Sequence, residues 1–481
     1  MHKPLATTLI GLLVFGIWAI GLSATLQAAA PSGSIDDFID SEMPASGAPG
    51  LAYAVVVNGE IVEVGARGVL ELGENQEVTP DTPFLTGSIS KSFTALAVMQ
   101  LVEAGKINLD AELSRYLDRF SGGPSGSITI RQLLSHTSGF STLQGNAPPA
   151  ERPEQKDELA RVVDQLATLA PAYPPGTTWE YSNLNYQILG RVIEVVSNQD
   201  FQTYVVSNIL VPVGMKNSFV ANGEVHEEMA TGHLPWFGTK RPLAENRTRR
   251  STAPQGGVVA SASDLARYMQ VMLNGKDDVL SASGKAAMMR PASDASPSYG
   301  FGWFLDAQSG SVWHSGASPG TETLATMVPN EQTGVVVLVN SGGGLGFGES
   351  AQLRNGITAR AIGADYDGEG SRWAQKATFV AMLVLPFAYL FSILWAWRER
   401  AAIRAKSGPF GVFSLWFPLL TTLGAAGFIF VLVPKLFGVP LGTLRRFQPD
   451  FALVLSATAV TGVVWAVFRL GVAYSGKSRQ A

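Results

Sequence analysis

The sequence predicts an α+β globular region followed by three membrane-spanning helices. In the globular region a single sheet is closed by the two chain ends and flanked by helices, with an all-helical lobe inserted between. Three observations predict this. Strand patterns sit at both ends of residues 31–362, the stretch between them reads as helices broken by Pro and Gly, and three charge-free apolar runs fill the last quarter.

Composition agrees. At 481 residues the chain holds about three domain-sized units of ~150 residues. Charged residues are 15% and hydrophobic ones 46%, against ~25% charged in soluble domains, which excludes disorder as the main state and points to membrane segments. Lys plus Arg is 35 and Asp plus Glu is 39, a net −4, so nucleic acid is not an expected partner. The absence of cysteine removes disulfides, thiolate metal sites and a thiol nucleophile. Five scattered histidines suggest no metal, and no cofactor is expected.

Taken in order, residues 1–30 read as an export signal or N-terminal anchor. Lys3 precedes an apolar run from Leu9 to Leu22, and Ala28-Ala29-Ala30 offers a small-residue cleavage site, although Pro31 would come directly after the cut. Either reading places the globular region outside the cytoplasm. Leu51–Val57 and Ile61–Val64 flank Asn58-Gly59, a strong hairpin signal. A helix is predicted over Ser88–Ala104, ended by Gly105. The middle, from about Leu109 to Leu273, carries helical stretches such as Asn185–Val196 and Ser263–Leu273, the latter with Ser263 and Asp264 as cap residues. Strands return at Gly300–Leu305, Val312–His314, Thr323–Val328 and Val335–Asn340. No repeat of fixed period is visible.

A linker at 363–376, rich in Gly and Asp over Gly363–Gly370, leads to the membrane region at 377–470. Ala377–Trp397, Pro409–Pro434 and Phe451–Phe468 carry no charge, and a span needs ~20 mostly apolar residues. Arg398, Arg400, Arg404 and Lys406 outweigh Glu399 in the first loop, and Arg469, Lys477 and Arg479 mark the end of the chain, including the tail at 471–481. Both are therefore expected in the cytoplasm. The second loop, with Lys435, Arg445 and Arg446, fits that rule less tidily. Without Asp, Glu or His inside the spans, no proton or ion path is indicated. The expected partners are a lipid bilayer and a small-molecule or peptide substrate; nothing in the sequence speaks to oligomeric state.

The chemistry concentrates at Ser88-Ile89-Ser90-Lys91, the only Ser-x-x-Lys in the chain. Positions i and i+3 share a helix face. A lysine held near a hydroxyl in a desolvated cleft loses its proton and activates that hydroxyl, and free N–H groups at a helix N-terminus suit an oxyanion. Tyr181-Ser182-Asn183 is the only Tyr-x-Asn. A phenol beside a lysine shuttles a proton, and an Asn amide binds both the lysine and a substrate carbonyl. His314-Ser315-Gly316 lies on a late strand, where a Gly lets a substrate backbone approach.

These three motifs, in this order and spacing, resemble the serine β-lactamase-like hydrolases, in the branch of class C β-lactamases, D-Ala-D-Ala carboxypeptidases, esterases and D-amino-acid peptidases. Ile128–Phe140, Pro212–Ser218, Gly256–Met269 and Tyr299–Trp303 resemble the same branch, so the likeness covers Ser34–Ile362. It implies an antiparallel sheet flanked by helices, and a serine hydrolase forming an acyl-enzyme. Ser88 would be the nucleophile, Lys91 its base, Tyr181 the relay to the leaving group, and Asn183 the residue that positions the substrate amide. The backbone N–H groups of Ser88 and Ala317 would form the oxyanion hole, each donor worth ~3 kcal/mol. His314 and Ser315 stand where β-lactamases carry Lys and Thr, so His314 is expected to be a weak, pH-dependent cation for a substrate carboxylate, and peptidase or esterase activity is expected over β-lactam hydrolysis. His136 is read as structural. The whole layout, with its export signal and C-terminal spans, is also similar to the membrane-bound prodrug-maturing peptidases of non-ribosomal peptide pathways. A sensor module that binds cell-wall peptides with little turnover is a further alternative.

Overall fold

The computed structural model describes residues 33–147, 155–246 and 248–475. The expected export segment and the tail charges Lys477 and Arg479 lie outside the described residues.

The globular region runs α1 (Ile35–Ser46), β1 (Gly50–Val57), β2 (Glu60–Gly68), α2 (Ser90–Glu103), α3 (Asn183–Ser197), α4 (Ala262–Leu273), β3 (Phe304–Leu305), β4 (Val312–Ser318), β5 (Thr321–Val328), β6 (Thr333–Val339) and α5 (Ala351–Ile362), with short helices and strands between. One six-stranded sheet has the order β2-β1-β6-β5-β4-β3, and its neighbours pair antiparallel. Strand β1 pairs with β6, Leu51 opposite Val339, so the two chain ends close the sheet as expected.

The period of two explains why these strands are apolar throughout. Leu51, Tyr53, Val55, Val335, Val337 and Val339 pack with Ile39 of α1 and with Leu353 and Ile357 of α5. The alternate residues Ala52, Ala54, Val56, Val336 and Leu338 join the main core with Leu265 and Met269 of α4. Both faces are covered, so neither strand shows the apolar–polar alternation of a half-exposed one. At the β1–β2 turn Asn58 and Gly59 take φ of 52° and 76°, the left-handed pair of a type I′ hairpin.

Two expectations are corrected. The strand over Gly300–Leu305 shrinks to Phe304–Leu305. Gly302 has φ +80°, and a Cβ there would lie 2.8 Å from Ser92 Cα, so this segment turns tightly against α2 instead of extending. The cap of α4 is Ser261, whose side chain accepts the Asp264 N–H, not Ser263 or Asp264. Helix α2 shows no polar face because Ser90 through Met99 are all buried; it is the central helix, enclosed on every side.

The C-terminal helical region comprises α6 (Trp373–Arg398), α7 (Gly408–Phe437), α8 (Leu441–Phe447) and α9 (Pro449–Tyr474). Helices α6, α7 and α9 are long and apolar enough to cross a membrane, and α9 packs against both others. The β-hairpin His233–Trp236/Thr239–Pro242 meets the bundle: the Phe237 N–H donates to Asp450 Oδ2 at 2.8 Å, and the Phe237 and Phe379 rings lie 6.3 Å apart. The second loop, with Lys435, therefore sits at the globular end of the bundle. Arg404 and Arg469 are held at the other end by backbone carbonyls of α9 and α7, on Val472 and Ser414.

Candidate active site

The site begins with a backbone constraint. Gly87 has φ +55°, and a Cβ on it would stand 2.7 Å from the Ala317 N of β4. Only glycine lets the turn lie this close to the strand. Ser88 comes next on a single 3-10 turn, Gly87–Ile89, that leads into α2. On the strand side Gly316 plays the matching role, since a Cβ there would meet the Thr86 carbonyl at 2.0 Å and Thr323 Oγ1 at 2.3 Å. Strand β3 pairs only with Trp313 and Val312. The edge of β4 from His314 to Ser318 thus extends past its neighbour and lies beside Ser88.

Lys91 is one turn along α2 and fully buried. Its Nζ lies 3.0 Å from Ser88 Oγ and donates to the Gln255 carbonyl at 2.8 Å. Among the described residues no carboxylate pairs with it. Burial drives its pKa well below the ordinary lysine value, because a charged amine loses its hydration without gaining a counter-ion. The lowered pKa favours the neutral amine, whose lone pair can accept a proton.

Tyr181 arrives on the loop that leads into α3, whose first residue is Asn183. Its ring centroid is 4.9 Å from Lys91 Nζ, and its hydroxyl hydrogen-bonds Ser88. Burial raises the Tyr181 pKa despite that bond, so the phenol holds its proton at neutral pH. The hydroxyl, the amine and the phenol therefore meet, although ninety residues separate Tyr181 from Lys91. Asn183 Nδ2 donates to Asn146 Oδ1 at 3.0 Å.

The histidines behave otherwise than expected. His314 is 1% exposed. Its Nδ1–H is 2.7 Å from the Ser315 carbonyl, and its Nε2 is 3.2 Å from the Tyr299 hydroxyl. Burial first pushes its pKa down to about 3, and Lys91 adds to the push whenever its amine is protonated. It is neutral, with both nitrogens engaged inside the protein, so the expectation of a pH-dependent cation for a substrate carboxylate is corrected. Ser315 is half-buried and Ala317 exposed on the open stretch of β4.

Sequence reasoning passed over the supports of these groups. His136, at φ 59°, accepts the Ser182 N–H at 3.1 Å on Nδ1, which is also 3.0 Å from Asn185 Nδ2. Its ring lies 4.4 Å from that of Tyr181. It pins the start of α3 and backs the phenol, a structural role as expected but in contact with the site. Asn146 and Gln255 carry no local signal, since their partners lie far off in the chain; Tyr299 lies in the family-like stretch Tyr299–Trp303, but its bond to His314 is not legible there.

A family model described as Beta-lactamase matches residues 35–359. The chain belongs to the beta-lactamase family. Penicillin-binding protein 4 of Amycolatopsis lactamdurans is 33% identical over 320 residues, covering 61% of this chain and 81% of that protein. Among solved structures, the octameric penicillin-binding protein homologue from Pyrococcus abyssi superposes with a TM-score of 0.60 at 23% identity, over 73% of this chain and 81% of that one. The structure of SurE with D-Leu gives 0.55 at 25%, over 69% and 76%. The beta-lactamase-family match ends before the apolar helices begin.

Proposed function

We propose that this chain is a membrane-anchored serine hydrolase that cleaves an amide or ester outside the cytoplasm through an acyl-enzyme on Ser88. The observation that carries the reading is the buried Lys91 amine, without a carboxylate and 3.0 Å from Ser88 Oγ. Ser88 Oγ attacks the carbonyl carbon as its proton passes to Lys91 Nζ. The oxygen, now negative, faces the N–H groups of Ser88 and Ala317. When the tetrahedral species collapses, the carbon–nitrogen or carbon–oxygen bond breaks. The proton on Lys91 then reaches the leaving group through Tyr181, which gives one proton as it receives another. Water attacks the acyl-enzyme, its proton returns by the same two groups, and Ser88 Oγ regains its hydrogen as the acid departs. Asn183 holds the acylamido group of the substrate, and Ser315, Gly316 and Ala317 line the strand edge along which it lies. His314 keeps β4 in place through Tyr299.

A neutral His314 offers no charge to a substrate carboxylate, which favours a peptidase or esterase over a β-lactamase. A sidedness with the globular region outside is supported by Arg404, Lys406 and Arg469 at the far end of the bundle. A second reading is a D-amino-acid peptidase that matures a prodrug; the similarity to a protein whose structure was solved with D-Leu supports its D-amino-acid part alone.

The test uses the full chain in detergent and a fluorophosphonate probe. Wild type is labelled and Ser88→Ala is not; labelling that survives in Ser88→Ala points to another nucleophile and overturns the proposal. A panel of p-nitrophenyl esters, D-amino-acid amides, N-acyl-D-Asn peptides and nitrocefin then ranks the substrate classes.

A further inference from the structure

The connection between the second and third apolar helices does more than turn the chain around. Asn146 Oδ1 receives the Asn183 amide at 3.0 Å. The other half of the Asn146 side chain, Nδ2, donates to the Gly438 carbonyl at 2.9 Å, and its backbone carbonyl accepts from Thr443 Oγ1 at 2.6 Å. Gly438 and Thr443 belong to the segment joining α7 to α9. The approach is close. Gly438 has φ +62°, and a Cβ on it would lie 2.8 Å from Thr142 Cγ2. A cleft of about 400 Å³, bordered by Thr142, Tyr173, Glu180, Lys435 and Phe437, stays open beside the contact, so the hydrogen bonds and the Gly438–Thr142 touch carry it rather than a packed apolar seam.

We infer that the membrane region completes the active-site wall: Asn146 is a positioning residue whose side-chain amide is held by Gly438 and whose backbone carbonyl is held by Thr443, and through it the α7–α9 connection sets the orientation of Asn183. A side-chain amide free at one end rotates and presents either its carbonyl or its NH₂; held at both ends it presents one. With Asn146 Oδ1 fixed toward Asn183 Nδ2, the remaining N–H and the carbonyl of Asn183 are aimed at substrate. The consequence falls on substrates that carry an acylamido group for Asn183, and not on those that lack one. This inference rests on the serine-hydrolase reading above.

The experiment compares two esters on the full-length chain in detergent or nanodiscs: the p-nitrophenyl ester of N-acetyl-D-alanine, which has an acylamido group, and p-nitrophenyl acetate, which has none. Thr443→Val removes one clamp without touching the globular region, and Gly438→Ala forces the loop off Thr142. Each is expected to lower kcat/KM for the acylamido ester about three- to tenfold, the range one hydrogen bond is worth. The acetate rate should stay within about twofold, the scatter of a neutral surface change. Thr443→Ser, which keeps the hydroxyl, should restore the acylamido rate, and Thr443→Val should have no further effect on an Asn183→Ala background. Unchanged acylamido kinetics, an equal loss on both esters, or a full Thr443→Val effect on the Asn183→Ala background each overturn the inference. A wild-type chain whose Ser88 takes no fluorophosphonate label overturns instead the hydrolase reading beneath it.

Discussion

Lys91 and His314 are both buried nitrogen bases of the same site, yet burial gives them different tasks. Each is held below its ordinary pKa. For Lys91 the neutral form is the working form, so kcat/KM should fall as pH drops through its lowered pKa and the amine takes a proton. The stability linkage has the same origin. Unfolded lysine stays protonated up to ~10.5, so between the lowered value and ~10.5 the unfolded state binds more protons and stability rises with pH. Lys91→Met should therefore slow fluorophosphonate labelling by about 10²- to 10⁴-fold, what a positioned base supplies, while raising Tm at neutral pH because a buried polar amine is replaced by an apolar chain of similar length. A lowered Tm would show that the Gln255 bond outweighs the burial cost. His314 at about 3 does not titrate near ~6.5, where an exposed histidine would. His314 should contribute no limb there; a limb near ~6.5 that disappears in His314→Gln would reverse this assignment.

At the scale of elements, the site is a contact between a helix entry and a strand edge, and two glycines set its width. Gly87 faces Ala317 N, and Gly316 faces the Thr86 carbonyl and Thr323 Oγ1. Both opposing groups are backbone or tied to it, since Thr323 Oγ1 itself donates to the Thr86 carbonyl at 2.8 Å. Neither side has room to yield. Gly316→Ala should cost about 1–3 kcal/mol of stability, the usual penalty of overpacking, and should slow Ser88 labelling by moving Ala317 N away from the oxyanion position. Thermal unfolding and labelling rate measured on one preparation check both halves, and a variant with wild-type labelling would place the second donor elsewhere. The α3 entry is governed differently, by polar contacts. Ser182 N and Asn185 both reach His136, so His136→Ala should loosen Tyr181 and Asn183 together.

At the scale of the whole molecule, the globular region and the helix bundle meet at several places. One is the wall formed by Asn146, Gly438 and Thr443. Another is the β-hairpin, where the Phe237 N–H donates to the buried Asp450, and a third is the segment after β6, where Gln448 Nε2 donates to the Gly343 carbonyl at 3.2 Å and the Phe347 and Phe379 rings lie 6.0 Å apart. Asp450→Ala removes the acceptor of Phe237 N, a part-buried bond worth about 0.5–1.5 kcal/mol. The expected result is faster proteolysis in the linker Gly363–Gly370, with unfolding of the globular region unchanged; equal linker cleavage in wild type and variant would mean that this bond does not hold the two regions together.

Local order in the chain was enough to determine the hairpin at Asn58-Gly59, the three apolar spans, and the Ser88/Lys91 pair. Turn chemistry, hydrophobic length and the helical repeat are all properties of neighbouring residues. The strand-rich ends and helical middle likewise pointed to a sheet joined by β1 and β6. Tertiary structure alone decided the charge of His314, because desolvation depends on what surrounds a ring and not on its neighbours in sequence. It also decided the loss of the strand before Phe304, where Gly302 must turn against α2, and the roles of Gln255, Tyr299 and Asn146, whose hydrogen-bond partners stand up to some three hundred positions away. A contact of that span leaves no trace in either segment taken singly, since each must still satisfy only its own local geometry until folding brings the two together.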